Sequence, residues 1–246
     1  MSSLVIGTTV PTFKAIAEED TQWLESAEAL VANARSSGFS TVHFFAAIEH
    51  DGRQLEPFAR LLNRLKAVGE IRGATATYWT FSICDHSLTI DDHNRLIRIC
   101  TGRNLIHEFA LRSGEVSHAL FLDSDMLVPG DSVSKLMEMN YPIVGGHVPS
   151  YCMTGERVRS YPYKVEAHWN TAGFLMVNRE ILRRIRWRAD MHPGGAGCSD
   201  DPCFAADVRD VLGYETHVRK DLIGTHKPLV PLNKRGHDLK LQGQVS

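Results

Sequence analysis

The apolar run His118-Ala119-Leu120-Phe121-Leu122 ends in two carboxylates one residue apart, Asp123 and Asp125 around Ser124, with Pro129 and Gly130 just beyond. Two carboxylates this close repel each other unless a proton or a cation sits with them. Hard divalent cations take oxygen ligands, so the pair is a candidate holder of such an ion and, through it, of a diphosphate. The same residues also suit an acidic turn closing a strand, and the stretch alone leaves both readings open.

For such chemistry the carboxylates must be released at the end of a fixed element. A short apolar run without alternation suits a strand buried on both faces, as in a parallel sheet. Open α/β sheets bind their ligands at the carboxyl ends of such strands. The chain before Asp123 supplies the rest of a sheet. Leu4 to Val10 predicts a first strand closed by Pro11, and Asp20 or Thr21 caps a helix to about Ser37 with Trp23, Leu24, Ala27, Leu30, Val31 and Ala34 on one face. Thr41 to Ile48 is a second strand. Leu55 to Val68 is a second helix stopped by Gly69, and Ala74 to Ile83 a third strand. Asp91 or Asp92 caps a long helix to about Arg112, and the strand carrying Asp123 is the fourth. Strands alternating with helices predict a parallel sheet with right-handed crossovers.

Beyond Pro129 the rhythm changes. A short helix (Ser132 to Met139), a strand (Tyr141 to Pro149) containing Gly145 and Gly146, an irregular stretch (Arg157 to Lys164) and a strand (Thr171 to Val177) follow. A helix from Arg179 to Arg188 carries Arg179, Arg183, Arg184, Arg186 and Arg188, either a solvated face or a site for an anionic acceptor. His192 to Gly197 is a glycine loop able to serve as a lid. Asp201 to Leu212 is helical, with Phe204, Val208, Val211 and Leu212 on one face. Residues 1–130 thus read as a nucleotide-binding half, 131–226 as the other half of the same domain, and 227–246 as a tail, mobile or folded over a ligand.

Bulk composition sets the limits. With 246 residues, 43% apolar and 23% charged, the chain has the make-up of a folded globular protein. Lys and Arg number 27 against 29 acidic residues, a net charge of -2, so nothing global points to nucleic acid or an anionic membrane. Five widely spaced cysteines (Cys84, Cys100, Cys152, Cys198, Cys203) favour reduced thiols and a cytoplasmic setting. Cys198 and Cys203 with His192 form a weaker zinc candidate, since no C-x-x-C pair is present. The amino terminus lacks the pattern of a signal peptide, and no run reaches the length of a membrane span.

Four stretches together resemble the GT-A-type glycosyltransferases, closest in pattern to the large inverting family with a D-x-D motif. They are Leu4-Val5-Ile6-Gly7-Thr8-Thr9-Val10-Pro11, Gly102-Arg103-Asn104 (similar to an A-R-N segment), Asp123-Ser124-Asp125, and Ser199-Asp200-Asp201-Pro202-Cys203-Phe204 (similar to E-D-x-x-F). The chain departs from the family in having Asp200 where Glu is usual, and in a less regular acidic pair after the second strand, with Glu49 and Asp51 the nearest candidates.

The resemblance implies an α/β, Rossmann-like open sheet with a parallel nucleotide-binding half and a mixed acceptor-side region. It implies transfer of a sugar from a nucleoside-diphosphate sugar, UDP-linked by preference, to a hydroxyl acceptor: a glycan, lipid carrier, metabolite, protein or modified DNA. Mn²⁺ or Mg²⁺ would be held by Asp123, Asp125 and a late histidine, His226, the ion acting as a Lewis acid on the leaving diphosphate. The nucleotide would lie against Thr8, Thr9, Pro11, Glu49 or Asp51, Ser124, Asp123 (through the ribose), Arg103 and Lys227. Asp201, beside Asp200, would be the base that takes the acceptor's proton, with inversion favoured and retention the alternative. Trp169 in Trp169-Asn170-Thr171-Ala172-Gly173 would stack on the sugar or fill core.

Other classes compete. Phe121 to Leu127 also resembles the nucleophile motif of haloacid-dehalogenase-type phosphatases, with Asp123 as nucleophile and Asp200-Asp201 as the later acidic pair. Leu127 and the three preceding strand-helix units argue against that. Sugar-nucleotide pyrophosphorylases share a similar half-sheet but carry a basic glycine loop that Gly7 to Lys14 lacks. A non-catalytic binding module is the third class.

Overall fold

The computed structural model describes residues 2–10, 21–49, 63, 73–79, 93–148, 172–191, 197–198 and 200–226. In chain order the elements are β1 (Ser3–Val10), α1 (Thr21–Ser36), β2 (Thr41–Glu49), β3 (Gly73–Trp79), α2 (His93–Arg112), β4 (Val116–Asp123), β5 (Met126–Leu127), α3 (Ser132–Glu138), β6 (Ile143–His147), β7 (Phe174–Asn178), α4 (Arg179–Arg184), β8 (Asp190–Met191), β9 (Gly197–Cys198), α5 (Asp200–Leu212), β10 (His217–Ile223) and β11 (Thr225–His226). Seven strands make one sheet in the order β10-β6-β7-β4-β1-β2-β3. The pairs β4-β1, β1-β2, β2-β3 and β10-β6 are parallel, while β7 runs antiparallel to both β4 and β6. This is the expected α/β, Rossmann-like open sheet, with a parallel amino-terminal half and a mixed carboxyl-terminal half.

The sheet is covered on both faces, which is why β1 and β4 are apolar without alternation. Leu4, Ile6, Leu120 and Leu122 pack on one side with Trp23, Ala27, Leu30, Val31 and Ala34 of α1 and Val133 and Leu136 of α3. Val5, Ala119 and Phe121 pack on the other with Ile106 and Ala110 of α2, Ile181 and Leu182 of α4, and Phe204 and Val208 of α5. Each such side chain contributes about 1.5–3 kcal/mol on full burial. Close approach is built in at Gly7, where a Cβ would stand 2.2 Å from Cγ2 of Ile106, so α2 lies directly on β1. That contact fixes the height of α2, and hence of Arg103, over the sheet.

Several boundaries differ from expectation. The helix expected over Arg179 to Arg188 stops at Arg184, and Ile185 is extended at φ -117°, ψ 137°. From there burial alternates: Ile185 and Trp187 point inward while Arg186 and Arg188 are exposed, a period of two that overrides helical continuation. The arginine cluster is correspondingly split. Nη1 and Nη2 of Arg179 donate to the carbonyls of Ala110, Leu111, Ser113 and Val116, capping the end of α2. Arg186 pairs with Glu108 at 2.7 Å, and Arg188 with Asp207. These three arginines have intramolecular work, and only Arg183 and Arg184 of the five fit a solvated helix face.

Val211 is 55% exposed rather than on the buried face of α5. The strand expected from Thr171 begins at Phe174, after a turn at Ala172 and Gly173, and β10 and β11 had no counterpart in the sequence reading. The second helix (apart from residue 63), the irregular stretch after Pro149, the glycine loop up to residue 196 and the tail from residue 227 lie outside the described residues. No described helix is long and apolar enough to cross a membrane.

Candidate active site at the carboxyl end of the sheet

Asp123 is the last residue of β4, and the register of β1 sets Thr9 beside Asp123 and Thr8 beside Leu122. Both threonines are buried, and Oγ1 of Thr8 has no hydrogen-bond partner among the described residues. Glu49 ends β2 next to Trp79. The ends of β1, β2 and β4 therefore lie side by side, as parallel pairing in register requires. Pro11, Asp51 and Lys227 lie outside the described residues, as do Trp169, Asn170 and Thr171.

From the opposite side comes Arg103, on α2 and only 3% exposed. Its guanidinium donates to three aspartates: Nη2 to Oδ1 of Asp123 at 3.2 Å, and Nη1 to Oδ2 of Asp200 and, at 2.8 Å, to Oδ1 of Asp201. A planar five-donor fork is suited to bridging several carboxylates at once. Burial alone works against the charge on Arg103, but Asp201 and Asp123 outweigh it and raise its pKa above the ordinary value. Arg103 was expected against a diphosphate; in the structure its fork engages these three acidic residues.

The fork has its own support. Asn104 donates through Nδ2 to the carbonyl of Trp187 at 2.9 Å and accepts from the Trp187 amide at 3.0 Å. That exchange seats the Trp187 ring 5.0 Å from Cζ of Arg103, within cation–π range. Phe204 stacks on the indole at 3.8 Å. Trp187 escaped the sequence reading. Its only signal was the alternation of Ile185 and Trp187, hidden beneath a run of arginines that imitated a helix face.

Asp200 and Asp201 open α5, where the helix dipole favours anionic side chains. They differ in access. Asp200 is buried, its side chain 4% exposed against 13% for Asp201. Oδ1 of Asp201 accepts from Arg103 and also from the Ala172 amide at 3.1 Å. Both contacts engage the same oxygen, leaving Oδ2 outside the bonds that anchor the side chain. Nearby, burial pushes the Cys100 thiol up to about 12, with Arg103 opposing and Asp201 and Cys203 adding. Cys100 and Cys203 form no disulfide, and a thiol so shifted is inert at neutral pH.

Gly173 completes the wall. Its carbonyl accepts the Asp123 amide at 3.0 Å, and a Cβ at this position would lie 2.9 Å from Oδ2 of Asp123. Only a residue without a side chain lets the turn before β7 pass so close to the carboxylate. Ser124 and Asp125 are buried at 4% and 8% exposure, and Oγ of Ser124 has no partner among the described residues. The short strand β11 pairs antiparallel with β5, setting His226 opposite Met126. The backbone of His226 thus lies beside the residue that follows Asp125, although 100 positions separate the two in the chain. Among the described residues no three His, Cys, Asp or Glu side chains form a ready metal cluster. The donor chemistry around Ser124 nevertheless suits a hard cation: two carboxylates and an unpartnered buried hydroxyl, with a histidine backbone alongside.

Comparison with known proteins adds little at the level of residues. No family profile and no curated protein sequence matches the chain. Among solved structures, it is similar to a manganese complex of Rv0371C from Mycobacterium tuberculosis H37Rv, with 9% identity, 99% of this chain and 100% of that chain covered, and a TM-score of 0.35. It is also similar to a glycosyltransferase involved in glycosylation of the major capsid of PBCV-1, with 13% identity, 91% and 92% covered, and a TM-score of 0.37. At such low scores neither assigns a role to any residue here.

Proposed function

We propose that this chain is a metal-dependent GT-A-type glycosyltransferase that moves a sugar from a nucleoside-diphosphate sugar, preferably UDP-linked, to a hydroxyl acceptor with inversion. The observation that carries this reading is the convergence of Asp123, Asp200 and Asp201 on Arg103 at the carboxyl end of the parallel strands. Residues 1–130 hold the donor and 131–226 receive the acceptor.

Asp123, Asp125 and His226 would hold Mn²⁺ or Mg²⁺, which would offset the negative charge of the departing diphosphate. Thr8, Thr9 and Glu49, at the adjacent ends of β1 and β2, receive the nucleoside. Asp201 takes the acceptor's hydroxyl proton on Oδ2 while its Oδ1 stays anchored by Arg103 and the Ala172 amide. The acceptor oxygen then bonds to the anomeric carbon, and the electron pair of the broken carbon–oxygen bond leaves with the diphosphate. Asp200 is too buried to reach an acceptor and serves to hold Arg103. The phosphatase alternative loses support from the same contacts, because Oδ1 of Asp123 faces a guanidinium rather than an open approach.

The test is a thermal-shift series with UDP, GDP and a panel of their sugar conjugates, each with and without Mn²⁺. A specific binder raises apparent stability by mass action, about 2.7 kcal/mol at a hundred times Kd. UDP is expected to act only when Mn²⁺ is present, and Asp125→Ala should abolish the shift. Equal shifts for Asp125→Ala and the unaltered protein would end the metal assignment.

A further inference from the structure

We infer that Arg103 is a positioning residue that ties the carboxylate at the tip of β4 to the base at the start of α5 and fixes which oxygen of Asp201 faces the acceptor. The inference rests on the glycosyl-transfer reading, but it gives Arg103 a role within the protein rather than on the diphosphate. Three features of the site support it.

The first is reach. One guanidinium contacts residues from β4 and α5 while standing on α2, at 3.2 Å to Asp123 and 2.8 Å to Asp201. The second is rigidity. Arg103 is buried beside Trp187, whose backbone is held by both hydrogen bonds of Asn104 and whose ring is stacked on Phe204. A fork this confined has few other places to go, so it transmits position as well as charge.

The third is the division of labour within Asp201. Arg103 and the Ala172 amide both hold Oδ1, which sets the carboxylate plane and turns Oδ2 away from its own anchors. Ala172 and Gly173 also form the turn whose carbonyl receives the Asp123 amide. The base and the β4 tip are thus fixed to one another twice, through a side chain and through a backbone turn. Charge alone does not need this geometry; orientation of a proton acceptor does.

Charge compensation and orientation separate on substitution. Arg103→Lys keeps the positive charge but lacks the planar fork, and Arg103→Met removes both. If Arg103 only neutralises buried acids, lysine restores stability and turnover together. If it positions Asp201, lysine restores stability alone.

The experiment therefore has two arms. In the first, urea unfolding of Arg103→Met, Asp201→Asn and the double variant is expected to give a coupling of tenfold or more in the unfolding constant. The same is expected with Asp123→Asn in place of Asp201→Asn. Additivity within twofold would remove the physical link, whatever the enzyme does. In the second, UDP release from UDP-glucose in Mn²⁺ is followed alongside calorimetric binding of UDP with Mn²⁺. Arg103→Lys should unfold close to the unaltered protein and bind UDP within threefold, yet lose at least fiftyfold in kcat. Turnover by Arg103→Lys equal to the unaltered protein would overturn the positioning role. If the unaltered protein neither binds UDP with Mn²⁺ nor releases UDP from any sugar conjugate, the glycosyl-transfer reading fails instead. The inference falls with it as a statement about catalysis, and the first arm then decides the link alone.

Discussion

Replacing Gly173 with alanine perturbs the candidate metal carboxylate by a single methyl group. Gly173 is absent from the positive-φ residues, so its backbone accepts an L side chain without strain, and the effect is one of space. The new Cβ would lie 2.9 Å from Oδ2 and 3.1 Å from Cγ of Asp123, and 3.2 Å from Cε of Met126. The methionine end can yield. The carboxylate is less free, because Oδ1 meets Arg103 at 3.2 Å and the Asp123 amide is held by Gly173 itself. Overpacking of this kind costs about 1–3 kcal/mol, offset by about 0.4–1 kcal/mol from the stiffer unfolded chain. The expected net destabilisation is about 1–2 kcal/mol.

Donor binding should suffer more than folding. A carboxylate displaced from the cation it would ligate forfeits about 1.5–3 kcal/mol, or roughly a ten- to hundredfold weaker Kd. Calorimetric titration of UDP in saturating Mn²⁺, beside urea unfolding, reads both quantities. Gly114→Ala is the control, since nothing lies within 4 Å of its Cβ position. If Gly173→Ala binds UDP as tightly as the unaltered protein while remaining equally stable, the carboxylate at Asp123 is not confined as described, and its place in the site is wrong.

The remaining predictions are briefer. Asp201→Asn should bind UDP with Mn²⁺ as before yet lose transfer by at least a hundredfold, because an amide cannot take the acceptor's proton; normal turnover in a donor-hydrolysis assay would remove Asp201 as base. Arg179→Met strips the carbonyls of Ala110 and Leu111 at the end of α2, of Ser113 and of Val116 at the start of β4 of a charged donor, and urea unfolding should report a loss of about 2–4 kcal/mol. Burial lowers the pKa of His107 from 6.5 to about 4, a shift opposed by its bond to the Leu182 carbonyl. Because the folded value is the lower one, this stability is present above about pH 6.5 and is lost as pH falls toward about 4. The loss is at most about 1.4 kcal/mol per pH unit. His107→Gln should flatten unfolding free energy across that window, and an unchanged slope would show that His107 is not buried in neutral form.

Much of the fold was legible along the chain. The runs Leu4 to Val10, Thr41 to Ile48 and His118 to Leu122 announce strands covered on both faces, and the spacing of Trp23, Ala27, Leu30, Val31 and Ala34 announces a helix that covers one of them. These are local properties, set by periodicity, which is why their boundaries fell within a few residues of the elements observed. The stretch after Arg184 was misread for the same reason. Its arginines matched a helix face, while the burial of Ile185 and Trp187 depended on α2 and α5, far away in sequence.

The acidic pair at Asp123 and Asp125 and the second pair at Asp200 and Asp201 were visible as residue types. No local pattern joined them; only the family resemblance put both pairs in one site. Their meeting required α2 to lie on β1 at Gly7, so that Arg103 reaches both groups. It also required β11 to return beside β5, so that the backbone at His226 comes next to Met126. A strand of two residues has no periodicity to read, and a salt bridge across 97 positions leaves no local trace. Sequence fixes which elements form, because propensity and pattern act between near neighbours. Which carboxylates share an arginine is decided only when the chain packs, because that depends on distances no linear spacing encodes.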